Sequence, residues 1–169
     1  VCSSDLIRTT ENLLRYLQHL QRAKKQVKEM DEIAHKDSLT GVKNKTAYNE
    51  ATALLDKKIL AANAHFCIVM VDVNYLKRVN DTYGHERGNE YLINACKLTC
   101  GVFGKENVYR IGGDEFVVII EGEKVLLSKY FVAQFKSEMD SKQSNLSLKE
   151  WEKVSAAVGI AIYNPVHDK

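Results

Sequence analysis

Gly112-Gly113-Asp114-Glu115 stands between two apolar runs, a short one over 107–111 and a continuous one from Phe116 to Ile120. Apolar runs split by such a stretch predict a β-hairpin. Its tip would carry two carboxylates, beside glycines that tolerate positive φ and let another group approach the main chain. Successive strand residues point to opposite faces, so Asp114 and Glu115 share a site only if the Gly-Gly turn twists the backbone. An ordinary hairpin with solvated acids is the alternative. A third carboxylate, Asp72, closes the apolar run that begins at Phe66. There a carboxylate is costly unless cations or donors meet it, although capping the next helix would also explain it.

The elements that must position these groups follow from the pattern on either side. From about Ile7 to Ala34 there is no Gly or Pro, and Leu13, Leu17, Leu20 and Val27 fall on four- and three-residue steps, with Lys24 interrupting. This predicts a long amphipathic helix with a short heptad seam, packed on its own domain or paired with a second copy; pairing is the favoured reading. Asp37 to Asn44 is a polar break. Thr46 to Ala62 reads as a helix with Ala47, Leu54, Leu55 and Ile59 on its apolar face. Phe66 to Val73 is β-branched and reads as a central strand. Tyr75 to Asn80 predicts a short helix, Thr82 to His85 a turn, and Glu86 to Phe103 a longer helix with Leu92, Ala95, Cys96, Thr99 and Phe103 inward. After the hairpin come a helix over Val125 to Met139, with Leu126, Phe131 and Phe135 on or near its apolar face, a polar loop over Asp140 to Leu148, and a strand over Val154 to Tyr163. Helices and strands alternating around a hairpin predict an α+β fold: a mixed, largely antiparallel sheet with flanking helices, preceded by the long N-terminal helix.

Three stretches in order resemble the GGDEF domain of diguanylate cyclases. Asp37-Ser38-Leu39-Thr40-Gly41-Val42-Lys43-Asn44-Lys45 is similar to that family's opening signature. Val71 to His85 is similar to its metal and guanine segment, and Arg110 to Phe116 to the signature that names it. The resemblance runs from Asp37 to the end of the chain and implies a palm-like fold related to nucleotide cyclases and polymerases. It implies a reaction in which the 3′-hydroxyl of one GTP attacks the α-phosphate of another. Two GTP then give cyclic di-GMP and pyrophosphate at the interface of a domain dimer. Polyphosphate chemistry needs cations, so Mg2+ (or Mn2+) is the expected cofactor. By the resemblance, Asp72, the Val73 carbonyl, Asp114 and Glu115 are metal positions, and Asp114 and Glu115 are catalytic. Lys77 matches a phosphate-facing position and Asn80 a guanine contact, while Gly112 and Gly113 let phosphates lie on the main chain. Asp81 and His85 are supporting, and Arg110 is a candidate support for the acidic turn.

Two departures from the family pattern bear on chemistry. The family's guanine-reading Asp falls at Asn89. A carboxylate accepts from both guanine N1–H and the amino group, whereas an amide offers one acceptor and one donor. Weaker discrimination between GTP and ATP is therefore expected. The family's product-inhibition motif, R-x-x-D, is Phe103-Gly104-Lys105-Glu106, so bidentate capture of product there is lost and weak or absent feedback by cyclic di-GMP is expected. A regulatory nucleotide-binding module without turnover, or a cyclase of altered base choice, are the competing functional readings.

The totals bound the rest. At 169 residues, 45% hydrophobic and 27% charged, one globular domain plus an appendage is expected. A net charge of +2 gives no field argument for nucleic acid or membrane. Cys2, Cys67, Cys96 and Cys100 lack zinc-ligand spacing and suit a reducing cytoplasm; Cys96 and Cys100, one helical turn apart, read as core filling. Val1 to Leu6 is what one frame of a common sequencing-library adapter encodes, so these residues read as a non-native leader; a capped helix lead-in is the alternative. By the resemblance, residues 7–36 are then expected to be a signalling helix and 37–169 a GGDEF domain without the family's last helix and strand. The expected partners are GTP, a second copy through the domain and the N-terminal helix, and an upstream sensory domain. A membrane would enter only through a segment upstream of this chain.

Overall fold

The computed structural model describes residues 3–166. Of the expected leader, Val1 and Cys2 lie outside these residues, as do the last three of the stretch leading on from Asn164. The chain divides into two compact units, one up to His35 and one from Lys36 onward. The first is helix α1, Ser3–Ala34. Leu13, Leu17, Leu20 and Val27 are exposed along it, Leu20 least at 40% and Val27 most at 67%. No helix among the described residues is long and apolar enough to cross a membrane.

In the second unit, Asn44 caps α2 (Lys45–Leu60) by accepting the Ala47 N–H at 3.1 Å, an arrangement worth about 1 kcal/mol. Then come β1 (Phe66–Val73), α3 (Leu76–Tyr83), α4 (His85–Phe103), β2 (Val108–Arg110), β3 (Glu115–Glu121), α5 (Ser128–Ser144) and β4 (Ala156–Ile162). The four strands form one sheet in the order β2-β3-β1-β4, and every neighbouring pair is antiparallel. The sheet and its helices agree with the α+β expectation.

The period of two along β1 decides what the sheet faces. Cys67, Val69, Val71 and Val73 join Phe116, Val118 and Ile120 in the main core, under α4 and α5. The alternate residues face the other way. There α2 covers only part of the sheet: Leu55, with Ala47, Ala51 and Ile59, packs with Phe66, Ile68, Tyr109, Val117 and Ile119. Beyond them Met70 and Asp72 are exposed. One end of this face is thus open, and the acidic residues stand at that end.

Several sequence expectations are corrected. Asp72 does not close the strand, which continues to Val73, and it is exposed because α2 does not reach its end of the sheet; among the described residues the burial cost argued for it does not arise. Leu54 is exposed, because the i, i+4 series Ala47, Ala51, Leu55, Ile59 turns its neighbour inward. Thr82 and Tyr83 are helical, and the break falls at Gly84, whose φ of 85° only glycine adopts readily. Gly122–Leu127 is a 3-10 turn that buries Val125 and leaves Leu126 exposed. The expected loop from Asp140 begins only after Ser144, since a solvated face continues α5 and Gln143 ties it to the Val154 carbonyl at 3.1 Å.

Candidate active site

The β1–β3 register sets Asp72 directly opposite Glu115. Partners so placed share a face of the sheet and stand about 4.5–5.5 Å apart at Cβ. Like charges in that position repel, so the pair favours a cation between or beside them. The ladder continues past the strands: the Val73 N–H donates to the Asp114 carbonyl at 3.0 Å, and the Ile111 N–H closes the tip on the Glu115 carbonyl at 3.0 Å. Asp114 is thereby fixed beside Val73. The Glu115 carboxylate folds back over Gly112, where an added Cβ would collide with it. Among the described residues none of the three carboxylates of Asp72, Asp114 and Glu115 has a hydrogen bond or ion pair from the protein, and no three His, Cys, Asp or Glu side chains converge tightly enough to define a metal centre.

These residues nevertheless fit Mg2+ or Mn2+. The donors are hard oxygens, two of them are in register on an open face, and among the described residues no side-chain cation pairs with them. Asp72, Asp114, Glu115 and the Val73 carbonyl are the groups that would hold it.

Arg110 braces the tip. Its Nη2 donates to the Gly113 carbonyl at 2.6 Å and its Nη1 to both oxygens of Asp37, at 3.0 and 3.3 Å. Asp37 also accepts from the Thr40 N–H at 2.8 Å and hydroxyl at 2.6 Å. Burial pushes the Asp37 carboxyl up, but the Thr40 hydrogen bonds and the Arg110 guanidinium outweigh it and hold the group below its ordinary value of 3.8. Sequence reading recognised Asp37 only as part of a motif; its acidic type just after a helix gave no sign of the partner it reaches. Asp37→Asn should lower unfolding free energy by about 1–3 kcal/mol, the worth of charge-assisted bonds to a part-buried group. The sign of the pH effect is fixed by the depressed value. The stabilisation is fully present above 3.8 and lost as pH falls through the lower folded-state value. Urea titrations of both proteins should therefore differ by a constant amount near neutrality and converge in acid; equal midpoints at neutral pH would contradict the role.

The nucleotide candidates lie on the α3–α4 pair. Asn80 packs so closely on α4 that a Cβ at Gly88 would collide with its side-chain oxygen. Gly88 was missed in the sequence, although a glycine inside a helical run is itself a signal of close approach. Asn89, the next residue, is exposed. Lys77, Asp81 and His85 are exposed, and their side chains make no hydrogen bond or ion pair among the described residues. The structure thus brings Asp72, Val73, Gly112, Gly113, Asp114, Glu115 and Arg110 together around the hairpin tip and sets Asn80 against Gly88, with Asn89 exposed one residue further on. Phe103 is buried against Phe131 and Phe135, at ring distances of 6.3 and 5.9 Å, so the residue standing in place of the family's inhibitory Arg is a core residue.

The model of the diguanylate cyclase GGDEF domain matches residues 34–169. A bifunctional diguanylate cyclase/cyclic di-GMP phosphodiesterase of Pseudomonas aeruginosa, MucR, is 27% identical over 137 residues, which is 80% of this chain and 20% of that protein. The diguanylate cyclase DgcM of Escherichia coli is 30% identical over 94 residues, 54% of this chain and 23% of its own. The chain therefore spans about a fifth to a quarter of these relatives. Among solved structures, the coiled coil and GGDEF domain of Caulobacter crescentus DgcB, in complex with c-di-GMP, superposes with a TM-score of 0.77 at 18% identity, covering 95% of this chain and 85% of that one. That likeness shows a shared fold.

Proposed function

The chain belongs to the GGDEF-domain family of diguanylate cyclases, and from that premise we propose that it condenses two GTP to cyclic di-GMP and pyrophosphate with Mg2+ or Mn2+, one GTP per domain of a dimer. The observation that carries this reading is the Asp72–Glu115 pair, two uncompensated carboxylates in register at the open end of the sheet beside a Gly-Gly tip. The bound cation would neutralise charge on the phosphates. Gly113, with open space where a Cβ would stand, lets those phosphates lie against the main chain, with Gly112 beside it under the Glu115 carboxylate, and Arg110 keeps the tip in shape through the Gly113 carbonyl. Asp114 is the candidate to take the proton of the attacking 3′-hydroxyl. Asn80 contacts guanine from the α3 side, and Lys77 faces the phosphates; Asp81 and His85 support the segment that carries them.

Residues 37–169 act as the cyclase domain in the cytoplasm, and α1 pairs two copies through Leu13, Leu17 and Leu20, receiving its signal from an upstream sensory domain. Each domain brings one substrate, so specific activity should rise with protein concentration. It should rise more steeply when the three leucines are changed to lysine, because the seam supplies part of the association. Pyrophosphate release per mole of protein, followed across a dilution series, checks this; a rate independent of concentration down to monomer would contradict the dimer.

The Asn80–Gly88 contact gives a second check. Gly88→Ala drives the Asn80 amide from its place, while an alanine inside a helix gains rather than loses intrinsic stability. The expected result is a KM for GTP raised about tenfold, the cost of one lost hydrogen bond, with an unchanged or higher Tm. A lower Tm with unaltered KM would make the contact one of packing alone.

Asn89 favours a second reading, a nucleotide-binding regulatory module or a cyclase of altered base choice. An amide there can pair with the adenine edge and only half-matches guanine.

A further inference from the structure

A cavity of about 660 Å³ opens on the side of α3 that carries Arg78 and Thr82, with Tyr75 just before the helix, and is not lined by Lys77 or Asn80. Its far wall is Lys153 and Ser155, in the segment that leads into β4. The size is that of a small-molecule site. Arg78 lies over the Tyr75 ring, 4.5 Å from its centroid, and its side chain makes no hydrogen bond or ion pair among the described residues. A guanidinium held over an aromatic ring with its donors unspent is preorganised for an oxyanion. Lys153 pairs with Glu150 at 2.8 Å, so these three charged groups leave one positive charge in excess.

The cavity wall is bonded to the backbone of the acidic site. Tyr91 is buried, donates its hydroxyl to the Asn74 carbonyl at 3.0 Å and accepts the Ser155 N–H at 2.9 Å. The Asn74 N–H donates to the Ser155 carbonyl at 2.8 Å, and its side-chain amide to the Ser155 hydroxyl at 3.2 Å. Asn74 follows Val73, which is tied to Asp114. The next residue, Tyr75, is left-handed at φ 64°, a conformation that is strained for a non-glycine residue and must be held by its surroundings.

We propose that this cleft is a second binding site, for a small organic anion whose carboxylate or phosphate is taken by Arg78 and Lys153 and whose planar body lies on the cavity's tyrosines. Occupancy steadies the strained Tyr75 and, through Asn74 and Ser155, the main chain at Asp72 and Val73. The binding step stands without the cyclase reading; the effect on turnover rests on it. The full chain, labelled with 15N, is titrated with benzoate and with phenyl phosphate. The expected result is saturable binding at a Kd of about 1 mM or tighter, with shifts at Arg78, Thr82 and Ser155 and slower amide exchange over 73–76. Binding of one probe alone supports the site and identifies its anion. Arg78→Gln and Lys153→Gln should each weaken binding about ten- to a hundredfold, the loss of a charge-assisted hydrogen bond, and Asp114→Ala should leave it unchanged. No saturation by either probe at about 10 mM, shifts centred on Lys77 and Gly112, or wild-type binding by both variants would overturn the proposal. Because these readouts need no turnover, an inactive protein that binds the probes rejects the cyclase reading and not this one.

Discussion

Asp114→Ala is expected to abolish GTP turnover, by at least about a thousandfold, while the protein keeps its fold. The size follows from chemistry: a carboxylate that helps fix a cation on the phosphates contributes several kcal/mol at the transition state, and each 1.36 kcal/mol is about tenfold in rate. The intact fold follows from position. The ladder at the tip uses the Asp114 carbonyl, and Arg110 uses the Gly113 carbonyl, so the substitution removes no structural bond that the side chain makes. Removing one of three uncompensated acids should also relieve repulsion. Thermal unfolding should therefore show an equal or higher Tm. Asp72→Ala should do the same, for it is exposed and faces Glu115 across the ladder. Full turnover in the double variant would sink the metal assignment, and a collapsed Tm would mean that the acids hold the hairpin rather than the cation.

Asn89→Asp is expected to shift selectivity toward GTP. Guanine presents two adjacent donors on the edge concerned, and a carboxylate accepts both; the amide of Asn89 accepts one and sets a donor against the other. Mending one hydrogen bond in a partly wet site is worth roughly 1–3 kcal/mol, or about five- to a hundredfold in the ratio of kcat/KM for GTP over ATP. Asn89 is exposed and lies inside α4, so neither the substitution nor its charge should disturb the core. The comparison needs both nucleotides and both proteins at one metal concentration. An unchanged ratio would show that position 89 does not read the base.

The parts of the fold that were legible in the sequence are those whose signal is local. Phe66–Val73 was bounded correctly because a β-branched run is stiff and continuous; the hairpin was recognised because its glycines interrupt two apolar runs, although its second strand begins one residue early, at Glu115, and its first is only Val108–Arg110. What was not legible depends on contact. Whether Asp72 is buried is decided by how far α2 reaches across the sheet, which no property of Asp72 announces. Asp37 braces the Gly113 carbonyl only through Arg110, far along the chain. The fit of Asn80 against Gly88 requires α3 and α4 to fold back at Gly84. Leu126 failed as a core residue because a 3-10 turn replaced the first turn of the expected helix and rotated it outward.

The central claim is that the register of Asp72 with Glu115 serves phosphoryl chemistry on two GTP molecules. The most direct test incubates the full chain with Mg2+ and GTP and identifies the products by mass. The account predicts cyclic di-GMP together with pyrophosphate, both absent when Mg2+ is chelated. GTP recovered unchanged from a folded, nucleotide-bound protein would contradict it and leave a binding module in its place.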